Sequence, residues 1–237
     1  MVSLSLTTTL ALIALSAISG CTVPDADSSW TGLFDGESLS GWEVTKFGGE
    51  GEVRVIDGAM HLDMGSPLTG VNLLDSPPTE SYELEVTAAR IEGTDFFCGL
   101  TFPVGEDHLT LILGGWGGSI SGLSSLDDDD ASNNATRTLR GFKLGQDYIA
   151  TVHVRAATVT VLLDGKVLTQ VDRSEHGLSL RPEVEPCRPL GIASFSTRAR
   201  IKSVRWRPLD TDEPRRRSAH RERSDRKLIR GDQQGRR

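Results

Sequence analysis

"DYIATVHVRAATVTVLLDGKVLTQVD", residues Asp147–Asp172, decides the fold. In "ATVHVRA", Thr151, His153 and Arg155 fall on one face and the small apolar residues on the other. That period of two marks a strand with one buried side. Asp164-Gly165 is the strongest turn signal in the chain, because a two-residue hairpin turn of type I′ needs positive φ at both central positions. The stretch therefore predicts two hairpins in series.

The same pattern extends outward in both directions. "EVRVIDGAMHLDM" (Glu52–Met64) alternates, turns at Asp57-Gly58 and alternates again. "SYELEVTAARI" (Ser81–Ile91) sets Tyr82, Leu84 and Val86 against Glu83, Glu85 and Thr87. "DFFCGLTFPV" and "HLTLILGG" flank a turn at Gly105-Glu106-Asp107, and "LGIASFS" and "ARIKSVRWRPL" read as two further strands. No stretch between Trp30 and Arg207 sustains a helical period over three turns. Roughly ten to thirteen strands joined by short turns predict an all-β, antiparallel β-sandwich or jelly roll.

Charge and cysteines bound the setting. The 237 residues carry a net charge of -7, unevenly spread. Residues 208–237 are arginine-rich and carry +4, which leaves -11 on the remainder. An acidic body excludes a nucleic-acid-binding core. The tail, nearly devoid of apolar residues, reads as disordered. Residues 1–20 hold the apolar block "LALIAL" (Leu10–Leu15) and no charge, which reads as an export signal. Ile18-Ser19-Gly20-Cys21 resembles a bacterial lipobox, with Cys21 as the lipidated residue and 21–29 as linker. The expectation is an envelope protein on a lipid anchor, with plain secretion as the alternative. Cys98 and Cys187 remain. As a disulfide they would close a loop of about 90 residues, on the order of 4 kcal/mol in the chain-entropy model; as separate buried thiols they act as small hydrophobes.

Strand alternation also yields a candidate site. Leu109, Leu111 and Leu113 share one face with Phe96, Cys98, Leu100 and Phe102, which is core-like. Asp95, Phe97, Thr101, His108, Thr110 and Trp116 take the other. An aromatic and polar face with gaps left by glycine is what a shallow carbohydrate cleft requires. A bulge at Gly114-Gly115 would shift the parity by one. The tryptophan in "GGWGG" also reads as a packing residue whose glycines relieve crowding. Downstream, Asp127, Asp128 and Asp130 offer oxygen ligands of the type that hold Ca²⁺ or another divalent cation. Their spacing matches no EF-hand, and adjacent carboxylates are ordinarily solvated.

"GLFDGESLSGWEV" (Gly32–Val44), "VRVIDGAMHL" (Val53–Leu62), "YIATVHVRAATVTVLLDGKVL" (Tyr148–Leu168) and "LGIASFSTRARIKSVRWR" (Leu190–Arg207) resemble the 3-keto-disaccharide hydrolase domain, also called the 3-keto-glucoside lyase/hydratase domain. The resemblance spans residues 30–207. It implies a concanavalin-like jelly roll and action on 3-oxo-glycosides. Where typical members carry an N-S-G-I strand, this chain has "DFFCGLTFPVGEDHLTLILGGWGG", a distinct branch, so no catalytic residue carries over.

The implied chemistry removes the C2 proton beside a 3-keto group and expels the C1 substituent. It needs a base, a proton donor and an enolate stabiliser. On residue type, His108 is the candidate base, with Asp95 or Asp107 assisting and Trp116 stacking on the sugar; a divalent cation is one source of enolate stabilisation. The alternatives are a non-catalytic carbohydrate-binding envelope lipoprotein and a structural envelope protein. Neither glycan nor oligomeric state is set by the sequence.

Overall fold

The computed structural model describes residues 29–209. The expected leader over 1–20, the lipidation cysteine Cys21 and the tail from 210 onward lie outside the described residues.

Fifteen strands run through the described residues. In chain order they are β1 (Thr31–Gly32), β2 (Trp42–Val44), β3 (Val53–Ile56), β4 (Ala59–Leu62), β5 (Leu68–Leu73), β6 (Tyr82–Gly93), β7 (Cys98–Val104), β8 (Asp107–Gly115), β9 (Ile120–Ser124), β10 (Thr138–Leu139), β11 (Tyr148–Val154), β12 (Thr158–Leu163), β13 (Lys166–Asp172), β14 (Gly191–Phe195) and β15 (Thr197–Pro208). One 3₁₀ turn, Pro182–Cys187, is the helical element among them. The strands form two antiparallel sheets. The back sheet runs β13-β12-β11-β6-β15-β4-β3, with β1 on β15; the front sheet runs β10-β9-β8-β7-β14-β5-β2.

The turns follow from the sequence. Asp57-Gly58 and Asp164-Gly165 both have positive φ at each residue, 51° and 77° in the first and 50° and 73° in the second. This is the type I′ geometry whose twist matches that of the strands it joins. The core follows from the alternation. Leu109, Leu111 and Leu113 of β8 and Leu100 and Phe102 of β7 point between the sheets. They join one cluster with Leu84 and Val86 of β6, Val152 of β11, Val161 of β12 and Val204 of β15. Full burial of each such side chain contributes about 1.5–3 kcal/mol. The chain is an antiparallel β-sandwich.

The alternation misassigns one pair. Phe97, expected on the outer face, is completely buried in the sandwich core and packs edge-on against Phe142, with ring centroids 5.0 Å apart. Phe96, expected inside, lies on the outer face of the front sheet with Leu68, Val184, Cys187 and Phe195. The reason is local. β7 begins only at Cys98, and residues 94–97 are bends and irregular chain, so counting by two across them slips by one.

The cysteines separate for a related reason. Cys98 is in the core cluster between the sheets, whereas Cys187, at the end of the 3₁₀ turn, packs on the outer face of the front sheet. Both thiols are free and buried, and burial pushes each up to about 12. The disulfide alternative is thereby overturned, because the sheet itself stands between them.

Two outcomes follow. Alkylation of the native protein should leave both thiols unmodified, and denaturation without reductant should expose both to the reagent, read by mass spectrometry. Phe97→Ala should cost about 3–5 kcal/mol of stability by denaturant unfolding, as expected for a fully buried phenylalanine.

Candidate functional site

The outer face of the front sheet is lined with small residues. A Cβ on Gly99 would meet the Phe96 ring at 2.9 Å, and one on Gly122 would meet Thr136 Oγ1 at 2.8 Å. Their absence lets side chains and the 3₁₀ turn lie directly on the sheet. Beside that turn a cavity of about 230 Å³ remains open. Leu68, Ile112, Phe96, Phe195 and Val184 form its apolar lining, and Thr110, Ser124, Asp95, Arg181, Glu183 and Trp116 supply its polar and aromatic groups. Phe96 and Phe195 face one another with centroids 5.7 Å apart.

Trp116 reaches the cavity through a turn rather than through strand parity. The β8–β9 register shifts between Ile112 and Gly115, and Gly118 N donates to Gly115 O across 3.1 Å. Trp116 and Gly117 are the central residues, with φ of 49° and 82°. A left-handed non-glycine residue costs on the order of 1–3 kcal/mol and persists where its surroundings over-determine it. Asp95 does part of this: Oδ1 accepts from Trp116 N and Oδ2 from Gly117 N, each at 3.2 Å, while Oδ1 also accepts from Phe96 N at 2.8 Å. Trp116 is 38% exposed and lines the cavity.

The polar wall is an ion network. Arg181 Nη2 donates to Glu183 Oε1 at 2.8 Å, and Nη1 donates to Asp130 Oδ2 at 2.6 Å. The Arg181 guanidinium holds the Glu183 carboxyl below its usual range, and Glu183 in turn raises Arg181. Beyond this pair the surface opens into a second cavity of about 560 Å³, whose lining shares Arg181 and Glu183 and continues from Ser124 to Ser125, with Asp128–Asp130 on one side.

Of the residues singled out by the sequence, Asp95, Thr110 and Trp116 come together. Phe97 does not, for the reason given. Thr101 is fully buried; its hydroxyl meets that of Thr110 at 2.9 Å, and Cys187 lies against it. Asp107 is exposed at the start of β8 and does not line the cavity. His108 shares the outer face with Thr110, but its Nδ1 accepts from Arg188 Nη1 at 2.9 Å and it does not line the cavity. Arg188 is in turn held by Glu185 at 2.7 Å. His108 and Trp116 thus share the outer side of the front sheet but not one cavity, and the histidine is engaged by Arg188.

The aspartates diverge. Asp127 accepts from Gly177 N and pairs with His176 Nδ1 at 2.7 Å, Asp128 accepts from Ser179 Oγ, and Asp130 is taken by Arg181 and Ser132. Among the described residues no group of three or more His, Cys, Asp or Glu side chains is placed to hold a metal. A Ca²⁺ site at Asp127, Asp128 and Asp130 is therefore corrected: each carboxylate is directed to a different partner. Phe96, Phe195, Arg181 and Glu183 were missed. Phe195 was legible from the alternation in "LGIASFS", whereas Arg181 and Glu183 arrive from a segment more than fifty residues away from β9 along the chain.

No protein-family model matches the chain, and no curated protein sequence does. The resemblance to 3-keto-disaccharide hydrolases thus rests on the quoted motifs. Solved structures share the fold at low identity. A Crh5 transglycosylase solved with NAG matches at 15% identity over 78% of this chain and 86% of that chain, with a TM-score of 0.55. An endo-acting O-glycanase of the human gut microbiota that initiates mucin breakdown matches at 13% over 76% and 98%, TM-score 0.53. A carbohydrate esterase from the Shiga toxin-encoding bacteriophage phi24B matches at 13% over 76% and 100%, TM-score 0.51. At these identities the likeness establishes the sandwich fold.

His108 gives the 3₁₀ segment a pH signature. Burial, then the Arg188 charge, lowers it from 6.5, against smaller opposing effects of Glu185 and Asp107. The unfolded chain takes up a proton near 6.5 that the folded site refuses, so this contribution is complete above that pH and declines as pH falls through it. His108→Gln, which accepts from Arg188 without titrating, should lose less melting temperature than the wild type between about pH 7.5 and about pH 5.

Proposed function

We propose that the cavity beside Trp116 binds one ring of a carbohydrate. The carrying observation is the indole fixed in a turn at an open cavity of about 230 Å³, with Arg181 and Glu183 on its wall. Pockets that enclose drug-sized ligands measure roughly 300–1,000 Å³; this smaller one suits a single ring. An aromatic face meets the C–H side of a sugar while the charged pair and the Thr110 and Ser124 hydroxyls meet its oxygens. The sandwich fold shared with a transglycosylase, an O-glycanase and a carbohydrate esterase supports this reading.

The finer reading is elimination at a 3-keto-glycoside, as the resemblance of Gly32–Val44 and the other quoted segments implies. The Arg181–Glu183 pair favours it. Glu183, kept ionised by Arg181, takes the C2 proton. The C2–H electrons pass into the C3 carbonyl, and Arg181 stabilises the enolate oxygen that forms there. The enolate then re-forms the C3 carbonyl and the C1–C2 double bond as the C1–O bond breaks, and the leaving oxygen takes its proton from Glu183. Addition of water across the enone completes net hydrolysis. With the lipobox-like Ile18–Cys21, the reading is of an enzyme acting at the cell envelope, on a lipid anchor.

Incubation with a 3-keto-glucoside should release aglycone. Glu183→Gln should abolish release while retaining binding, and Trp116→Ala should weaken binding at least about tenfold, on the order of 1.4 kcal/mol. Binding of sugar with no turnover by the wild type would leave a carbohydrate-binding module. Absence of both would overturn the carbohydrate reading.

A further inference from the structure

A charged side chain lies beneath the tryptophan turn, where nothing in the proposed chemistry requires one. Arg90 of β6 is only 6% exposed. Its Nη2 donates to Gly114 O at 2.8 Å and to Gly118 O at 3.1 Å, one carbonyl on each side of Trp116. The guanidinium carbon lies 5.4 Å from the centroid of the Phe97 ring and 5.9 Å from that of Phe142. Nε is buried without a partner.

The surrounding sequence is shaped to this cation. A Cβ on Gly114 would collide with Nη2, and one on Gly118 would sit 3.1 Å from Nη1. Both glycines also have positive φ, 72° and 105°. Burying an arginine costs free energy, against which two carbonyls, two ring faces and the neighbouring Asp95 charge are set, and apolar replacements of buried charges are often neutral or stabilising. Packing alone therefore does not account for Arg90. What a guanidinium provides and an apolar side chain does not is a nitrogen, Nη2, whose two N–H groups tie both ends of one turn together.

We propose that Arg90 is the positioning residue of the Trp116 platform. It fixes the carbonyls from inside the sandwich while Asp95 fixes the amides from the cavity side, so the indole is presented in one orientation before any ligand arrives. The role of Trp116 in ligand binding rests on the carbohydrate reading above; its immobilisation by Arg90 does not.

The first test needs no ligand. In ¹⁵N-labelled protein the Trp116 indole signal is assigned by its loss in Trp116→Phe. In Arg90→Met the buried Trp42 indole, bonded to Leu33 O, should keep its shift and rigidity, whereas the ¹H–¹⁵N NOE of the Trp116 indole should fall. A Trp116 indole as rigid as in the wild type overturns the proposal. Should Arg90→Met not fold, Arg90→Lys serves, because its ammonium keeps the charge and ends one bond short of the Nη2 position that reaches both carbonyls; a mobile Trp116 beside an unchanged Trp42 is again expected, and a rigid one again overturns it.

The second test uses the 3-keto-glucoside. Arg90→Met should weaken binding roughly tenfold in the wild type and change nothing further in Trp116→Ala. An equal loss on both backgrounds would show that Arg90 acts other than through Trp116. A wild type that binds no sugar would sink the carbohydrate reading and leave the NOE result to decide this one.

Discussion

The burial of Leu109, Leu111 and Leu113 against the back sheet is the constraint on which the site depends. A strand presents alternate residues to opposite faces, so fixing three leucines inward fixes Thr110 and Ile112 outward. β7 and β9 are registered to the same strand and place Gly99 and Ser124 on that outer face. A one-residue slip would send every one of these residues to the wrong side. The cavity is thus a consequence of core packing.

On that floor the charges are committed to one another. Arg181 joins Glu183 to Asp130, and Arg188 joins Glu185 to His108, so the 3₁₀ turn is flanked by two arginines that tether it at both ends. The first pair stays at the cavity wall, where the Glu183 carboxylate and the Arg181 guanidinium are part of the lining. The second pair covers the histidine that residue type alone favours as a base. Which side chains face the cavity is therefore decided by which arginine lies over which acceptor.

Much of the architecture was legible in the residues. Asp57-Gly58 and Asp164-Gly165 supply positive φ where hairpins need it, and the alternation of β6, β8, β11 and β12 is regular enough to count. Counting fails where the chain leaves strand geometry. Residues 94–97 exchange the faces of Phe96 and Phe97, and the turn at Trp116 reaches the cavity by folding back after a bulge at Gly114-Gly115. The glycines of "GGWGG" looked like relief for the tryptophan. They also make room for Arg90, a residue of another sheet that no local pattern connects to them.

By itself, then, the sequence determined the all-β class, the principal hairpins and the inward set of β8, because these depend on φ preferences and a period of two that are local properties of the chain. Only the tertiary structure decided that Arg181 and Glu183 line the cavity, that Arg188 covers His108, that Asp127, Asp128 and Asp130 part company, and that Cys98 and Cys187 lie on opposite faces of one sheet. Each of those depends on where the segment around the 3₁₀ turn comes to rest. That placement is set by the open, glycine-lined face of a sheet assembled from strands far away in the chain.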